Sequence, residues 1–314
     1  MLGAVTRTYA VVGTGAVGGF YGAKLAAAGT PVRFLARSDL GHLRAHGLVV
    51  DSPLGDLRLP EVEAHGDPAD IGPADVVLVA LKTTGNGALA ALLPPLVGPA
   101  TVVVVLQNGL GVDERAAAAA PDATVLGGLC FICARKAGPG HVQHLDYGAV
   151  NIGEHRGGGA AAGITPAVEA VVGDLQAAGI EATAEADLVA ARWRKLVWNV
   201  PFNGLSVVLD AGTDALLADP SARGLVEDLM AEVVAGSVAV GHPVDPAFVG
   251  RMLAYTEQMV PYAPSMKLDA DASRPLEVEA IYKAPVRAAA TAGCAMPRVE
   301  ALERQLRFLD RRLG

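Results

Sequence analysis

A four-residue apolar run, Tyr9-Ala10-Val11-Val12, leads directly into Gly13-Thr14-Gly15-Ala16-Val17-Gly18, and few chain paths accommodate that order. A strand ending in such a turn needs three backbone freedoms in fixed places. Gly13 permits the tight turn, Gly15 keeps a Cβ away from an approaching pyrophosphate, and Gly18 lets the next helix lie close on the strand. Residues 16–28 read as that helix, stopped by Gly29, and a second apolar run follows from Val32 to Leu35. The result is a βαβ unit of about 30 residues, the context that separates a dinucleotide-binding turn from a chance cluster of glycines. Gly13, Thr14, Gly15, Ala16, Val17 and Gly18 are therefore the expected cofactor-binding residues, with the helix N–H groups and positive dipole end facing the anion.

The end of the second strand bears on which dinucleotide binds. An acid about 20 residues beyond the glycines would accept hydrogen bonds from a ribose 2′-hydroxyl, whereas a 2′-phosphate calls for arginine. Between Gly18 and Asp39 the charged residues are Lys24, Arg33 and Arg37, and Arg37-Ser38 lies just past the strand. A guanidinium and a hydroxyl there suit a phosphate, so NADP(H) is the expected cofactor. The alternative for Arg37 is a solvated loop charge.

At 314 residues the chain exceeds the length at which one core usually divides. Apolar runs at residues 76–81, 101–106 and 123–127, without polar alternation, predict strands buried on both faces of a parallel sheet. Around Gly138-Pro139-Gly140 two further strands predict an antiparallel hairpin. From about Asp187 onward strand signals vanish; Asp219-Pro220 opens one long amphipathic helix and Pro297 another. The expected fold is α/β, an N-terminal Rossmann-type doubly wound parallel sheet over residues 1–184 followed by an all-helical domain over residues 185–314.

The net charge of −8 excludes a nucleic-acid partner, because no segment concentrates the positive charge a phosphate backbone requires. Arg304, Arg307, Arg311 and Arg312 fall on the last amphipathic helix and read as a solvated face. Pro94, Pro95, Gly98 and Pro99 break the one long apolar stretch, so no membrane segment is expected. The first residues lack the pattern of a signal peptide, and three cysteines form no disulfide framework, which together suggest the cytoplasm. Cys130-x-x-Cys133 with His141-x-x-His144 fits no common zinc spacing, and no metal is expected.

Ligands of open parallel sheets bind beyond the carboxyl ends of the strands. Those ends carry the glycine turn, Arg37, Lys82 and Gln107-Asn108-Gly109. Lys82 and Asn108 are cofactor or substrate candidates as a set, although either alone also reads as an ordinary strand-ending residue. At the head of the helical domain, Trp193-Arg194-Lys195-Leu196-Val197-Trp198-Asn199 places Lys195 and Asn199 on one helix face, with Asn203 next if the helix tolerates Pro201. An ammonium among Trp193, Leu196, Trp198 and Phe202 has its pKa lowered by desolvation, which suits a general acid. A snorkelling surface lysine is the alternative.

The glycine turn, Arg37, Leu81-Lys82, Gln107-Asn108-Gly109, Trp193-Arg194-Lys195-Leu196 with Asn199, and Ser265-Met266 followed by Arg274-Pro275-Leu276-Glu277-Val278-Glu279 occur in an order that resembles the ketopantoate reductases over nearly the whole chain. The resemblance implies NADPH-dependent reduction of a 2-oxo acid, 2-dehydropantoate, to the 2-hydroxy acid. It implies Arg37 on the 2′-phosphate, Lys82 near the cofactor and Asn108 near nicotinamide and substrate. Lys195 would donate the proton, Glu277 would complete the site, and Asn199, Asn203 and Ser265 would hold the substrate. Departures from the family pattern fall at Tyr262, Leu276, Tyr282 and Pro201, all on the substrate side, and point to a bulkier or more apolar 2-oxo acid as the rival substrate. A non-catalytic NADP-sensing protein is the rival of another class, disfavoured because a sensor needs no proton donor. The long helices of the second domain offer surface for a homodimer or for packing on themselves.

Overall fold

The computed structural model describes residues 7–259, 261 and 263–313. They form two compact units: one runs through Gln107 and resumes over Val112–Leu188, and the other combines Asn108–Gly111 with the chain from Val189 onward.

The first unit is built on ten strands: β1 (Tyr9–Val12), β2 (Val32–Leu35), β3 (Leu48–Asp51), β4 (Leu57–Leu59), β5 (Glu63–His65), β6 (Val76–Val79), β7 (Val102–Val105), β8 (Thr124–Gly138), β9 (His141–Glu154) and β10 (Ala182–Glu185). Their order in the sheet is β4-β3-β9-β8-β7-β6-β1-β2-β5, with β10 also pairing β9. Helices α1 (Ala16–Ala27), α2 (Leu40–His46), α3 (Pro68–Ile71), α4 (Leu89–Leu92), α5 (Val112–Ala119) and α6 (Pro166–Ala177) connect them. All four residues of β1 and of β6 are buried, and β1 pairs in parallel with both β2 and β6, as unbroken Val/Leu runs demand. The chain thus adopts the expected doubly wound parallel sheet, closed by the antiparallel β8–β9 hairpin that turns at Pro139 and Gly140.

Two details differ from the sequence reading. The apolar segments at 123–127 and 130–133 belong to one 15-residue strand, β8. It pairs in parallel with β7 at its start and antiparallel with β9 along its length, so ladder bonds carry the backbone across Gly127-Gly128, where a break looked natural. The strands β3, β4, β5 and β10 are three or four residues long and lie at or near the sheet margins, too short for a clear alternation.

The second unit is all-helical: α7 (Leu188–Val208), α8 (Thr213–Ala218), α9 (Pro220–Ala239), α10 (Ala247–Gln258), α11 (Ser265–Asp271), α12 (Ala284–Thr291) and α13 (Pro297–Leu313). A five-residue π-helical segment, Glu279–Lys283, precedes α12. Trp193, Leu196, Val197, Val200 and Phe202 of α7 pack with Val226, Met230 and Val233 of α9 and with Ile281 and Tyr282 in one buried cluster. Asp219 caps α9 by accepting from the Ser221 and Ala222 N–H groups at 2.9 and 2.8 Å. On α13 the buried Val299, Leu302 and Leu306 alternate with arginines paired to glutamates one turn away, Arg304 to Glu300 and Arg307 to Glu303. No helix among the described residues is long and apolar enough to cross a membrane.

Candidate active site

In the first unit the candidate residues follow from the strand ends. Gly13 takes φ +100°, a conformation that L side chains rarely adopt, and its N–H donates to the Leu35 carbonyl at 3.2 Å, binding the turn to the end of β2. Gly15 caps α1, and a Cβ built there would meet nothing within 4 Å. A Cβ on Gly18 would stand 2.0 Å from the Gly13 carbonyl oxygen and 2.9 Å from the Ala80 Cβ. The turn is thus sealed against the sheet at Gly18 and open at Gly15, and the first-turn N–H groups of α1 have no partners within the helix. A pyrophosphate fits that arrangement.

Arg37 and Ser38 are exposed just beyond β2, and Lys82 is exposed beyond β6 at the head of the turn Thr83–Ala88. Gln107 is buried and donates to the Leu81 carbonyl at 2.8 Å and to Asn86 Oδ1 at 2.6 Å. It therefore stitches the ends of β6 and β7 together, a structural duty that its place in a polar motif did not reveal. Cys130 and Cys133 are buried, and burial pushes the Cys133 thiol up to about 12. His144 accepts from or donates to Ser52 Oγ at 2.7 Å and bonds the Asp146 carbonyl through its other nitrogen at 2.9 Å.

In the second unit α7 runs through Pro201 without interruption. Pro201 has no N–H for the Val197 carbonyl, yet the helix continues because its neighbours are packed from all sides in the core. Lys195, Asn199 and Asn203 consequently succeed one another along one face at four-residue spacing. Lys195 is half-buried; Asn199 and Asn203 are 5% and 2% exposed. Asn203 Oδ1 accepts from the Met266 N–H at 3.0 Å and from Ser265 Oγ at 3.4 Å. Asn203 thus draws the start of α11, and with it Ser265, onto the face that carries Lys195 and Asn199.

Glu277, 3% exposed, sits immediately before the helical turn that opens into the π segment. That segment also holds the Asn108 loop. The Leu110 N–H donates to the Ala280 carbonyl at 2.9 Å, and the Arg192 guanidinium reaches the Gly109 carbonyl at 3.4 Å. Gly109 takes φ +93° with its Cα so close that a Cβ would lie 2.4 Å from the Ala280 oxygen. Asn108 leaves the end of β7 in the chain but is fixed by residues of the helical unit. Nothing in the sequence signals this, because it depends on a π turn aiming one carbonyl outward.

The departures on the substrate side divide in the same way. Leu276 is 3% exposed and Tyr282 is 0% exposed, both within the apolar core of the helical unit. The Tyr282 hydroxyl donates to the Val200 carbonyl at 3.0 Å, next to Pro201, and burial pushes its pKa well above the ordinary range. Tyr282 therefore braces α7 beside its proline. Tyr262 lies outside the described residues. Replacing Tyr282 by Phe is expected to lower stability by about 1 kcal/mol, read as the midpoint of urea unfolding, with the ranking of substrates unchanged. A changed ranking would return Tyr282 to the list of specificity residues.

The family model described as ketopantoate reductase PanE/ApbA matches residues 9–157, and that for the C-terminal part of the same enzymes matches residues 187–310. A curated 2-dehydropantoate 2-reductase from Nostoc sp. is 50% identical over 306 residues, 98% of this chain and 96% of that protein. The crystal structure of 2-dehydropantoate 2-reductase from Geobacter metallireducens superposes with TM-score 0.91 at 40% identity, covering 96% of this chain and 99% of that one. A D-mandelate dehydrogenase solved with NADH and anilino(oxo)acetate has a TM-score of 0.87 over 98% of this chain and 99% of its own, at 20% identity, and so shares the fold. The two family models extend from the first strand into the last helix, and on that match the chain belongs to the ketopantoate reductase family.

Proposed function

We propose that the chain is an NADPH-dependent reductase that converts 2-dehydropantoate to the corresponding 2-hydroxy acid. The observation that carries this reading is the polar face of α7, where Asn203 brings Ser265 beside a run holding Lys195 and the buried Asn199. A row of polar side chains along one helix face, set in an otherwise apolar helical core, is the kind of lining that orients a polar substrate.

The roles follow from the chemistry. The glycine turn and the N-terminus of α1 hold the pyrophosphate, Arg37 the 2′-phosphate, and Lys82 and Asn108 the nicotinamide side. When bound, the nicotinamide supplies the hydride that the carbonyl carbon receives. Lys195 gives its proton to the carbonyl oxygen, on which negative charge builds as the bond order falls, and an ammonium stabilises that charge as it develops. Glu277 completes the site and directs the Lys195 ammonium. Asn199 and Ser265 orient the substrate carboxylate and hydroxyl, while Asn203, with Oδ1 occupied by Met266, contributes chiefly by positioning Ser265. Burial of Leu276 and Tyr282 in the apolar core of the helical unit supports the family substrate over a bulkier one.

Loss of NADPH absorbance, followed with 2-dehydropantoate beside pyruvate and branched and aromatic 2-oxo acids, tests the reading. The expected result is a kcat/KM for 2-dehydropantoate above every other acid by more than about tenfold. Preference for an aromatic acid would move the substrate and keep the mechanism. Tight NADPH binding without turnover of any acid would favour a sensor.

A further inference from the structure

Asp39 follows Gly18 by about 20 residues, the separation at which an acid recognises the ribose hydroxyls of an unphosphorylated dinucleotide. In this chain it does not point outward. Asp39 is 2% exposed, and three donors converge on its carboxylate: Lys136 Nζ and Ser38 Oγ on Oδ1, the latter at 3.0 Å, and the Gly140 N–H on Oδ2 at 3.1 Å. Burial alone would raise its pKa, but the bonds from Lys136, Gly140 and Ser38 outweigh it and hold the carboxyl below its ordinary range. Two of those donors, Lys136 and Gly140, come from the tip of the β8–β9 hairpin. That tip is seated firmly on α2: Gly140 takes φ +58°, and a Cβ there would meet His42 at 2.5 Å and the Gly47 carbonyl oxygen at 2.8 Å. Arg37 and Ser38 stand exposed immediately before Asp39.

We infer that Lys136 is a cofactor-selecting residue: by pairing with Asp39 it keeps that carboxylate turned inward and neutralised, so that the Arg37-Ser38 corner receives a 2′-phosphate. This rests on the NADP(H) reading above. An unpaired carboxylate one residue from Ser38 would repel a phosphate dianion and would accept hydrogen bonds from ribose hydroxyls instead, favouring NADH on both counts. Lys136 keeps a third of its side-chain surface in solvent, so its ammonium also adds positive potential at the same corner.

The test uses the full chain and four proteins: wild type, Lys136→Met, Asp39→Asn and the double variant. Dissociation constants for NADPH and NADH are read from cofactor fluorescence, with thermal unfolding of each protein as a check on folding. The wild type is expected to prefer NADPH, and Lys136→Met to lower the NADPH-to-NADH affinity ratio by at least about tenfold. Asp39→Asn added to Lys136→Met is expected to restore most of that ratio, because the exposed negative charge is gone. A ratio within about twofold of wild type in Lys136→Met, or an equal loss for both cofactors with no recovery in the double variant, overturns the inference while the NADP(H) reading stands. Wild-type preference for NADH overturns that reading and this inference with it.

Discussion

Lys195→Ala is expected to lower kcat for 2-oxo acid reduction by roughly 10²- to 10⁴-fold, the range that loss of a positioned general acid produces, with the NADPH dissociation constant unchanged. The separation of the two readouts is the point of the experiment. Lys195 lies on α7 between the buried Trp193 and Leu196, and its proposed partner is the substrate carbonyl oxygen, whereas the glycine turn and Arg37 are the proposed holders of the dinucleotide phosphates. Removing the ammonium therefore takes away a proton and a cation from the developing oxyanion and leaves the groups assigned to the dinucleotide phosphates in place. Lys195→Arg refines the result. Guanidinium keeps the charge but holds its proton far too tightly to donate near neutral pH, so it should preserve KM within a few-fold and still lose most of kcat. If alanine leaves kcat within about threefold of wild type, Lys195 is a snorkelling lysine and the proton comes from another group.

The spacing of Lys195, Asn199 and Asn203 was legible because a helix repeats every 3.6 residues whatever surrounds it. What Asn203 does with its oxygen was not, because its partner Met266 lies 63 residues away in the chain. The same distinction explains Tyr282 and Leu276. Read along the sequence they replace polar residues near a glutamate and suggest a reshaped pocket; in the fold they point into the core, and only the packing of α7 against the π segment decides which way they face. The parallel strands were legible from their apolar runs, since burial on both faces leaves no polar positions. The marginal strands β3, β4 and β5 were not, because three or four residues carry too little pattern. Asp39 is the instructive intermediate: its place after β2 is visible in the sequence, but its meaning depends on Lys136, which arrives from a hairpin 97 residues later.

Alanine at Gly15 and alanine at Gly18 should fail in opposite ways, although the two glycines belong to one turn. At Gly18 the new methyl would stand 2.0 Å from a backbone carbonyl oxygen and 3.1 Å from Val11 Cγ1 in β1. Backbone on one side and a fully buried strand on the other leave no flexible group to give way, so α1 must lift from the sheet. The expected cost is about 1–3 kcal/mol or more, seen as a lower unfolding temperature of the protein without ligand. At Gly15 the backbone has φ −73° and ψ −167°, which any residue adopts, and the methyl meets nothing within 4 Å. Unfolding of Gly15→Ala without ligand should match wild type within about 0.5 kcal/mol. Its NADPH affinity should nevertheless fall by at least about tenfold, because the only body the methyl obstructs is a pyrophosphate drawn against the turn. Wild-type NADPH binding by Gly15→Ala would mean that the pyrophosphate does not approach the backbone there, and the assignment of the turn as the dinucleotide site would fall with it.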